Sequence, residues 1–261
     1  MNRIDKRFKE LKKRKEKAFI AFITAGYPSL AVTEKLILEF DRIGVDIVEL
    51  GVPFSDPMAD GPVIQEASQY ALKKNTQLVD ILKLVKRVRK RINLPICLMT
   101  YYNPVFCYGD EKFCRDAALS GVDGVIIPDL PPEEGALYFR SAQRHKLDCI
   151  LFISPTTSAG RLKKIAALAK GFIYYVSLTG VTGARSALPA DLLAKLREIK
   201  LATIKPVCAG FGVSTNKQMR DIRKVADGVI VGSAIVKKIR EHLKDKDLVN
   251  KVAGFVRALK G

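Results

Sequence analysis

The apolar residues of this chain fall into short runs separated by stretches of helical spacing. Eight runs are rich in β-branched and aliphatic residues: Ala18–Thr24, Ile47–Gly51, Pro95–Thr100, Gly124–Pro128, Cys149–Ser154, Phe172–Ser177, Pro206–Ala209 and Gly228–Val231. None alternates strictly with polar residues. Such runs suit strands buried on both faces of a parallel sheet. Helix starts are predicted at Ser29, Asp110, Pro132-Glu133-Glu134, Ser158, Pro189-Ala190-Asp191 and Ser214, where capping residues or proline precede an apolar period. Strands alternating with helices require right-handed crossovers, and eight such units close an α/β barrel of the (β/α)8, or TIM, type. An open doubly wound sheet is the rival; the even spacing favours closure. Residues 1–16 read as an extra helix before the first strand. With no linker or low-complexity stretch, 1–261 is expected to be a single domain.

Composition narrows the class. A chain of 261 residues that is 48% hydrophobic is long enough for one substantial core. No apolar run reaches the length of a membrane span, and the first residues lack the apolar stretch of a secretory signal. The cysteines, Cys97, Cys107, Cys114, Cys149 and Cys208, are odd in number and show no CxxC spacing. The expectation is a reducing cytoplasm, with no disulfide, no zinc and no membrane partner.

The net charge of +18 raises the question of nucleic acid, so its location matters. Residues 1–17 hold nine basic and three acidic residues, 73–91 hold eight and one, and 235–261 hold eight and three. These three stretches carry the whole excess, and each reads as an amphipathic helix. No aromatic residues interleave with the charges of 73–91, as a base-stacking platform needs. Solvated helix faces are the simpler reading, with no specific nucleic-acid partner.

A barrel places chemistry at the C-terminal ends of its strands and in the loops that follow. Glu49 closes the second predicted strand among apolar neighbours, and Asp60 follows in a loop rich in Pro and Gly. A strand carboxylate can be structural, paired with Arg or Lys inside the barrel. A second carboxylate in the next loop favours catalysis. After strand seven comes Gly210-Phe211-Gly212, and after strand eight Gly232-Ser233-Ala234 opens a helix. Glycines let the backbone approach an anion, and helix-start N–H groups point at it. Two tight turns are the bland alternative; Gly183 in loop six is a third contributor to a phosphate site.

The run Val48-Glu-Leu-Gly-Val-Pro-Phe-Ser-Asp-Pro-Met-Ala-Asp-Gly-Pro62 closely resembles the signature of the tryptophan synthase alpha subunit. The resemblance extends through Phe19–Pro28, Leu98–Pro104, Gly124–Glu134, Gly180–Arg185 and Gly210–Ser214. It implies a lyase that splits indole-3-glycerol phosphate to indole and glyceraldehyde 3-phosphate by a retro-aldol step, without a cofactor. Glu49 and Asp60 would be the acid–base pair. Phe22, Tyr101, Ile153 and Phe211 would line the indole end, with Tyr174 as the active-site tyrosine. Gly183, Gly212, Gly232 and Ser233 would hold the phosphate, and Thr182 would lie on a loop closing over Asp60. Pro53, Phe54, Asp56, Asn103, Pro104 and Asp129 would face a separate PLP-dependent beta subunit in an α2β2 heterotetramer. Tyr27 and Leu178 depart from many relatives, which have Asp and Arg there.

Other readings stay open on the residues themselves. Asp56 can cap its own turn, Asp129 can cap the next helix, and Arg185 has three candidate roles: loop packing, partner contact and phosphate help. His145 and His242 read as solvent residues on basic helices. Three function classes follow: the alpha subunit; a free-standing lyase or other phosphate-sugar barrel enzyme; and a polyanion-binding protein without catalysis. The intact pair Glu49 and Asp60 argues against the third.

Overall fold

The strand runs are apolar on both faces because both faces are covered. The computed structural model describes residues 2–176 and 192–261. Its strands are β1 (Ala18–Thr24), β2 (Ile47–Gly51), β3 (Ile96–Met99), β4 (Gly124–Ile126), β5 (Asp148–Ile153), β6 (Ile173–Val176), β7 (Val207–Gly210) and β8 (Gly228–Val231). They pair in chain order, every pair parallel, and β8 closes on β1. The expected TIM barrel is what forms.

Strand alternation sorts the side chains into two layers. Ile20, Ile47, Cys97, Ile126, Ile150, Tyr174, Cys208 and Ile230 turn inward and form one cluster. Their neighbours, among them Val48, Leu50, Leu98, Leu151, Ile173 and Tyr175, pack outward against the helices. Helix α1 (Arg3–Arg14) belongs to the inner cluster. Its apolar stripe is Ile4, Phe8 and Leu11, and the Phe8 ring lies 6.0 Å from that of Phe172. Asn2 caps α1 through a hydrogen bond from the Ile4 amide, and Lys15 ends it in a left-handed conformation. The extra N-terminal helix therefore plugs the barrel end where the strands begin. Burying three such side chains stabilises by on the order of 5 kcal/mol before ordering costs.

Three aspartates tie the strand starts together. Asp46, Asp123 and Asp227 precede β2, β4 and β8. Their carboxylates accept from the amides of Phe19 (2.8 Å), Ile96 (2.9 Å) and Val207 (2.9 Å) on neighbouring strands. Asp123 also holds Arg89 and Arg3, each at 2.9 Å.

The outer helices are α2 (Leu30–Arg42), α3 (Pro62–Lys73), α4 (Leu78–Val88), α5 (Tyr102–Tyr108), α6 (Asp110–Ser120), α7 (Ala136–Arg144), α8 (Ala159–Leu168), α9 (Leu192–Ala202), α10 (Asn216–Arg223), α11 (Ser233–Glu241) and α12 (Leu248–Lys260). Ser29 and Ser158 cap α2 and α8 as expected, accepting from Val32 and Arg161. Other boundaries differ from expectation. Pro132-Glu-Glu forms a turn, with the Glu134 and Gly135 amides returning to the Pro131 carbonyl, and α7 begins only at Ala136. Thr215, not Ser214, caps α10, because the Gln218 side chain takes the amides of both. The basic stretch 73–91 breaks at Asn75, whose φ is +56°. The stretch 235–261 breaks between His242 and Asp247. The predicted start at Pro189-Ala-Asp lies outside the described residues. No helix among the described residues is long and apolar enough to cross a membrane.

Candidate active site

Glu49 occupies the middle of β2, opposite Phe22 of β1 and Cys97 of β3. It shares the inward face with Ile47, so its carboxyl projects into the barrel rather than into the loop beyond the strand. It is completely buried, and neither oxygen has a hydrogen-bond partner among the described residues. The structural alternative, a paired ion inside the barrel, is absent among those residues. Desolvation acts unopposed and pushes the Glu49 carboxyl up to about 8.

Two residues further along the same face is Gly51. A Cβ there would sit 2.6 Å from the Phe22 ring, so this glycine gives Phe22 room to lie across the barrel mouth. Asp60 approaches from the loop before α3 and is buried. The Ala59 amide donates to the Tyr101 hydroxyl at 3.0 Å, and that hydroxyl donates to Asp60 Oδ2 at 3.0 Å. Gln65 holds the Asp60 carbonyl at 2.8 Å. The Phe54 ring stacks on Tyr101 with centroids 5.2 Å apart. Burial raises Asp60 to about 6, and the Tyr101 hydrogen bond works against that rise. The second oxygen, Oδ1, is buried with no partner among the described residues.

Tyr174 completes the group. Its phenol is pushed well above its usual range, first by burial and then by the charges of Glu49 and Asp60. Tyr174 shares the inner cluster with Ile47, the neighbour of Glu49 on the inward face of β2. Gly210 accommodates it, since a Cβ at that position would lie 2.7 Å from the Tyr174 hydroxyl.

The pocket wall corrects one expectation. Ile153 pairs in register with Tyr175 and packs in the outer layer between β5 and the helices. Its neighbour Phe152 pairs with Tyr174 and takes the inward place, the two rings 4.8 Å apart. Alternation along β5 from the inward-facing Ile150 identifies it. Met99 and Val176 also pack against the inner cluster, a placement that sequence reasoning missed.

The glycine turns stand at the same end of the barrel. Gly212 has φ +63°, a conformation that favours glycine, and Phe211 beside it is buried, its ring 5.1 Å from Tyr175. Gly232 is the N-cap of α11, next to Phe22, and Ser233 opens the helix in a buried position. The first amides of α11 have no intrahelical acceptors and point at this space. Leu178, Thr182, Gly183 and Arg185 lie outside the described residues. Tyr27 is buried against Tyr70.

The expected partner-facing residues divide. Asp56 and Asn103 are exposed, Phe54 and Pro104 half-buried, and Pro53 is buried. Pro53 directly follows Val52, whose amide still bonds to the Met99 carbonyl at 2.8 Å, so the chain at this point is still part of the barrel rim. Met58 and Phe106, at 73% and 67% exposure, are the large apolar groups presented there. Asp129 accepts the Tyr102 amide at 2.9 and 3.2 Å, so it caps α5 of the preceding unit rather than the helix after it. His145 and His242 are half-buried rather than free in solvent. His145 meets Glu111 at 2.7 Å and His242 lies 3.7 Å from Asp245.

Comparison with known proteins agrees with this geometry. The family model described as tryptophan synthase alpha chain matches residues 8–260. The tryptophan synthase alpha chain of Geobacter sulfurreducens is 52% identical over 260 residues, spanning 100% of this chain and 98% of the relative. That of Citrifermentans bemidjiense is 50% identical, spanning 100% and 97%. The crystal structure of the alpha chain from Legionella pneumophila superposes with a TM-score of 0.92 at 38% identity, covering 100% of this chain and 96% of that one. A chain from the tryptophan synthase a2b2 complex of Pyrococcus furiosus gives 0.86 at 38% identity, covering 93% and 97%. The chain belongs to the tryptophan synthase alpha chain family.

Proposed function

We propose that this protein is a lyase of tryptophan biosynthesis that cleaves indole-3-glycerol phosphate to indole and glyceraldehyde 3-phosphate, with Glu49 and Asp60 as its acid–base pair. One observation carries the reading: two buried carboxyls, carried by a strand and by the loop after it, each keep oxygen atoms without a hydrogen-bond partner among the described residues at the barrel mouth. Burial raises Glu49 to about 8 and Asp60, held down by the Tyr101 hydrogen bond, to about 6, so Glu49 keeps its proton more readily and Asp60 gives its proton up first. Two like groups thereby acquire two roles from their surroundings.

Cleavage breaks the bond between indole C3 and the glycerol chain. C3 must gain a proton, the adjacent hydroxyl must lose one, and the aldehyde forms from that carbon. Protonated Glu49 delivers the first proton and, as carboxylate, takes the second. Anionic Asp60 faces the ring N–H and stabilises the positive charge that builds on the indole as C3 is protonated. Phe22, Phe152, Tyr174 and Phe211 form the aromatic wall. Gly212, Gly232 and Ser233 hold the phosphate through backbone amides and the serine hydroxyl, joined by Gly183, and Thr182 lies on the loop that closes over Asp60. The residues 1–261 act as one barrel domain with α1 as its plug. Five free thiols, four of them buried, support a cytoplasmic setting.

The partner is a PLP-dependent beta subunit that condenses the released indole with serine. The support is an apolar rim at the mouth, with Phe54, Met58 and Phe106 beside the Asp60 loop, and the assembled state of the Pyrococcus furiosus relative. Direct transfer at the mouth keeps indole from escaping into solvent. The deciding experiment follows indole release from indole-3-glycerol phosphate, with and without the cognate beta subunit, and with glycerol phosphate as competitor. Absence of release in both conditions overturns the reading. High release with no complex favours a free-standing lyase.

A further inference from the structure

The barrel end opposite the active site carries a feature that lyase chemistry does not use. Helix α1 buries one face in the barrel and turns the other to solvent. Lys6, Lys9, Lys12, Lys13, Arg14 and Lys15 are all exposed there. Among the described residues the ion pairs of this segment engage Arg3, Arg7 and Lys17, not these six. Helix-dipole complementarity accounts for cations in the last turn of α1, but not for Lys6 and Lys9.

Beside α1 lies the turn between α9 and β7. Leu201 is 91% exposed and Ile204 fully so. A groove of about 400 Å³ joins the two elements, lined by Lys12, Lys15, Ile204 and Pro206 together with Glu16 and with Asp227, which pairs with Lys17 and Lys200. Cations and bare aliphatic side chains thus share one surface. Its aromatic neighbour, Phe8, is buried in the barrel, so no ring is available for base stacking.

We propose that this N-terminal face of the barrel docks on an anionic lipid bilayer. Lysines at this density are attracted to the negative surface of a membrane, and exposed aliphatic tips enter the headgroup boundary, where nucleic acid offers them nothing. Six of the nine basic residues of 1–17 stand exposed on the surface that would meet the lipid, and the other three are held in ion pairs. The contact is peripheral, since no described helix spans a membrane. The mouth with Glu49 and Asp60 points the opposite way, so docking leaves it open to substrate and partner.

The test is co-sedimentation of the full chain with vesicles of phosphatidylcholine alone and of phosphatidylcholine mixed with phosphatidylglycerol, at low and high salt. Binding is expected to the mixed vesicles only, and to fall with salt. Lys12→Glu, Lys13→Glu and Lys15→Glu should each weaken it about fivefold or more. Leu201→Ser with Ile204→Ser should weaken it about tenfold per side chain. All five positions are exposed and remote from the mouth, so indole release stays unchanged and reports an intact fold. Absence of binding to mixed vesicles at low salt overturns the proposal. So does binding unaffected by the Leu201→Ser, Ile204→Ser variant, or tighter binding to a DNA duplex at equal salt, either of which would make the face a general polyanion surface.

Discussion

Glu49→Gln separates the energetics of the barrel interior from its chemistry, because the two change in opposite directions. The carboxyl is fully buried without a partner among the described residues and titrates near 8 instead of 4.5. Its folded pKa lies above its unfolded one, so the folded state binds the extra proton between these values. Stability due to this group is therefore highest at low pH and falls as pH rises through that window. At pH 7 the unfolded chain is ionised, and keeping Glu49 protonated in the fold costs roughly 3 kcal/mol; above pH 8 the cost approaches about 5 kcal/mol. Glutamine is neutral at every pH and of similar shape. The variant should exceed the parent in stability by about these amounts, with the difference vanishing near pH 4. Urea midpoints measured from pH 4 to pH 9 report it. Indole release by the same variant should drop by about 10²–10⁴ or more, as the proton donor to C3 is lost. A variant no more stable than the parent at pH 8 would refute the desolvated carboxyl. Near-normal turnover would remove Glu49 from the mechanism.

Four further outcomes follow from the same geometry. Asp60→Asn should lower kcat strongly while changing substrate affinity little, because the anion matters most as charge develops on the indole; a rise in KM alone would make Asp60 an ordinary binding residue. The pH profile of kcat/KM should be bell-shaped, with limbs near the 6 of Asp60 and the 8 of Glu49. Tyr101→Phe, which removes the hydrogen bond that lowers Asp60, should move the acid limb upward, and an unmoved limb would deny Tyr101 its hold on Asp60. Phe152→Ala should raise KM, whereas Ile153→Ala should leave KM alone and cost about 2–5 kcal/mol of stability, so the reverse pattern would restore Ile153 to the pocket. Asp148, buried near Asp5 and Asp123 and raised to about 7 chiefly by burial, favours the fold below its pKa and penalises it as pH rises from about 4 to 7. Asp148→Asn should flatten that part of the stability profile, and an unchanged slope would show the carboxyl to be solvated.

Much of the protein was legible in its sequence because the relevant forces are local or periodic. Eight doubly apolar runs pointed to a covered parallel sheet, and their regular spacing favoured closure over an open sheet. The block Val48–Pro62 marked the two carboxyls, because a buried Glu49 and a loop-borne Asp60 are costly unless used. Where a property depends on which face a side chain takes, tertiary structure decided. Phe152, not Ile153, takes the inward face of β5 because it pairs in register with Tyr174. Pro53 is buried because the chain is still bonded to β3 just before it. Asp129 caps α5 because neighbouring loops meet in space, not in sequence. The split between Glu49 and Asp60 also needed the fold. Sequence reveals two carboxylates, but their proton affinities depend on the exclusion of water around both and on the Tyr101 hydrogen bond to Asp60, and these arise only when the barrel closes.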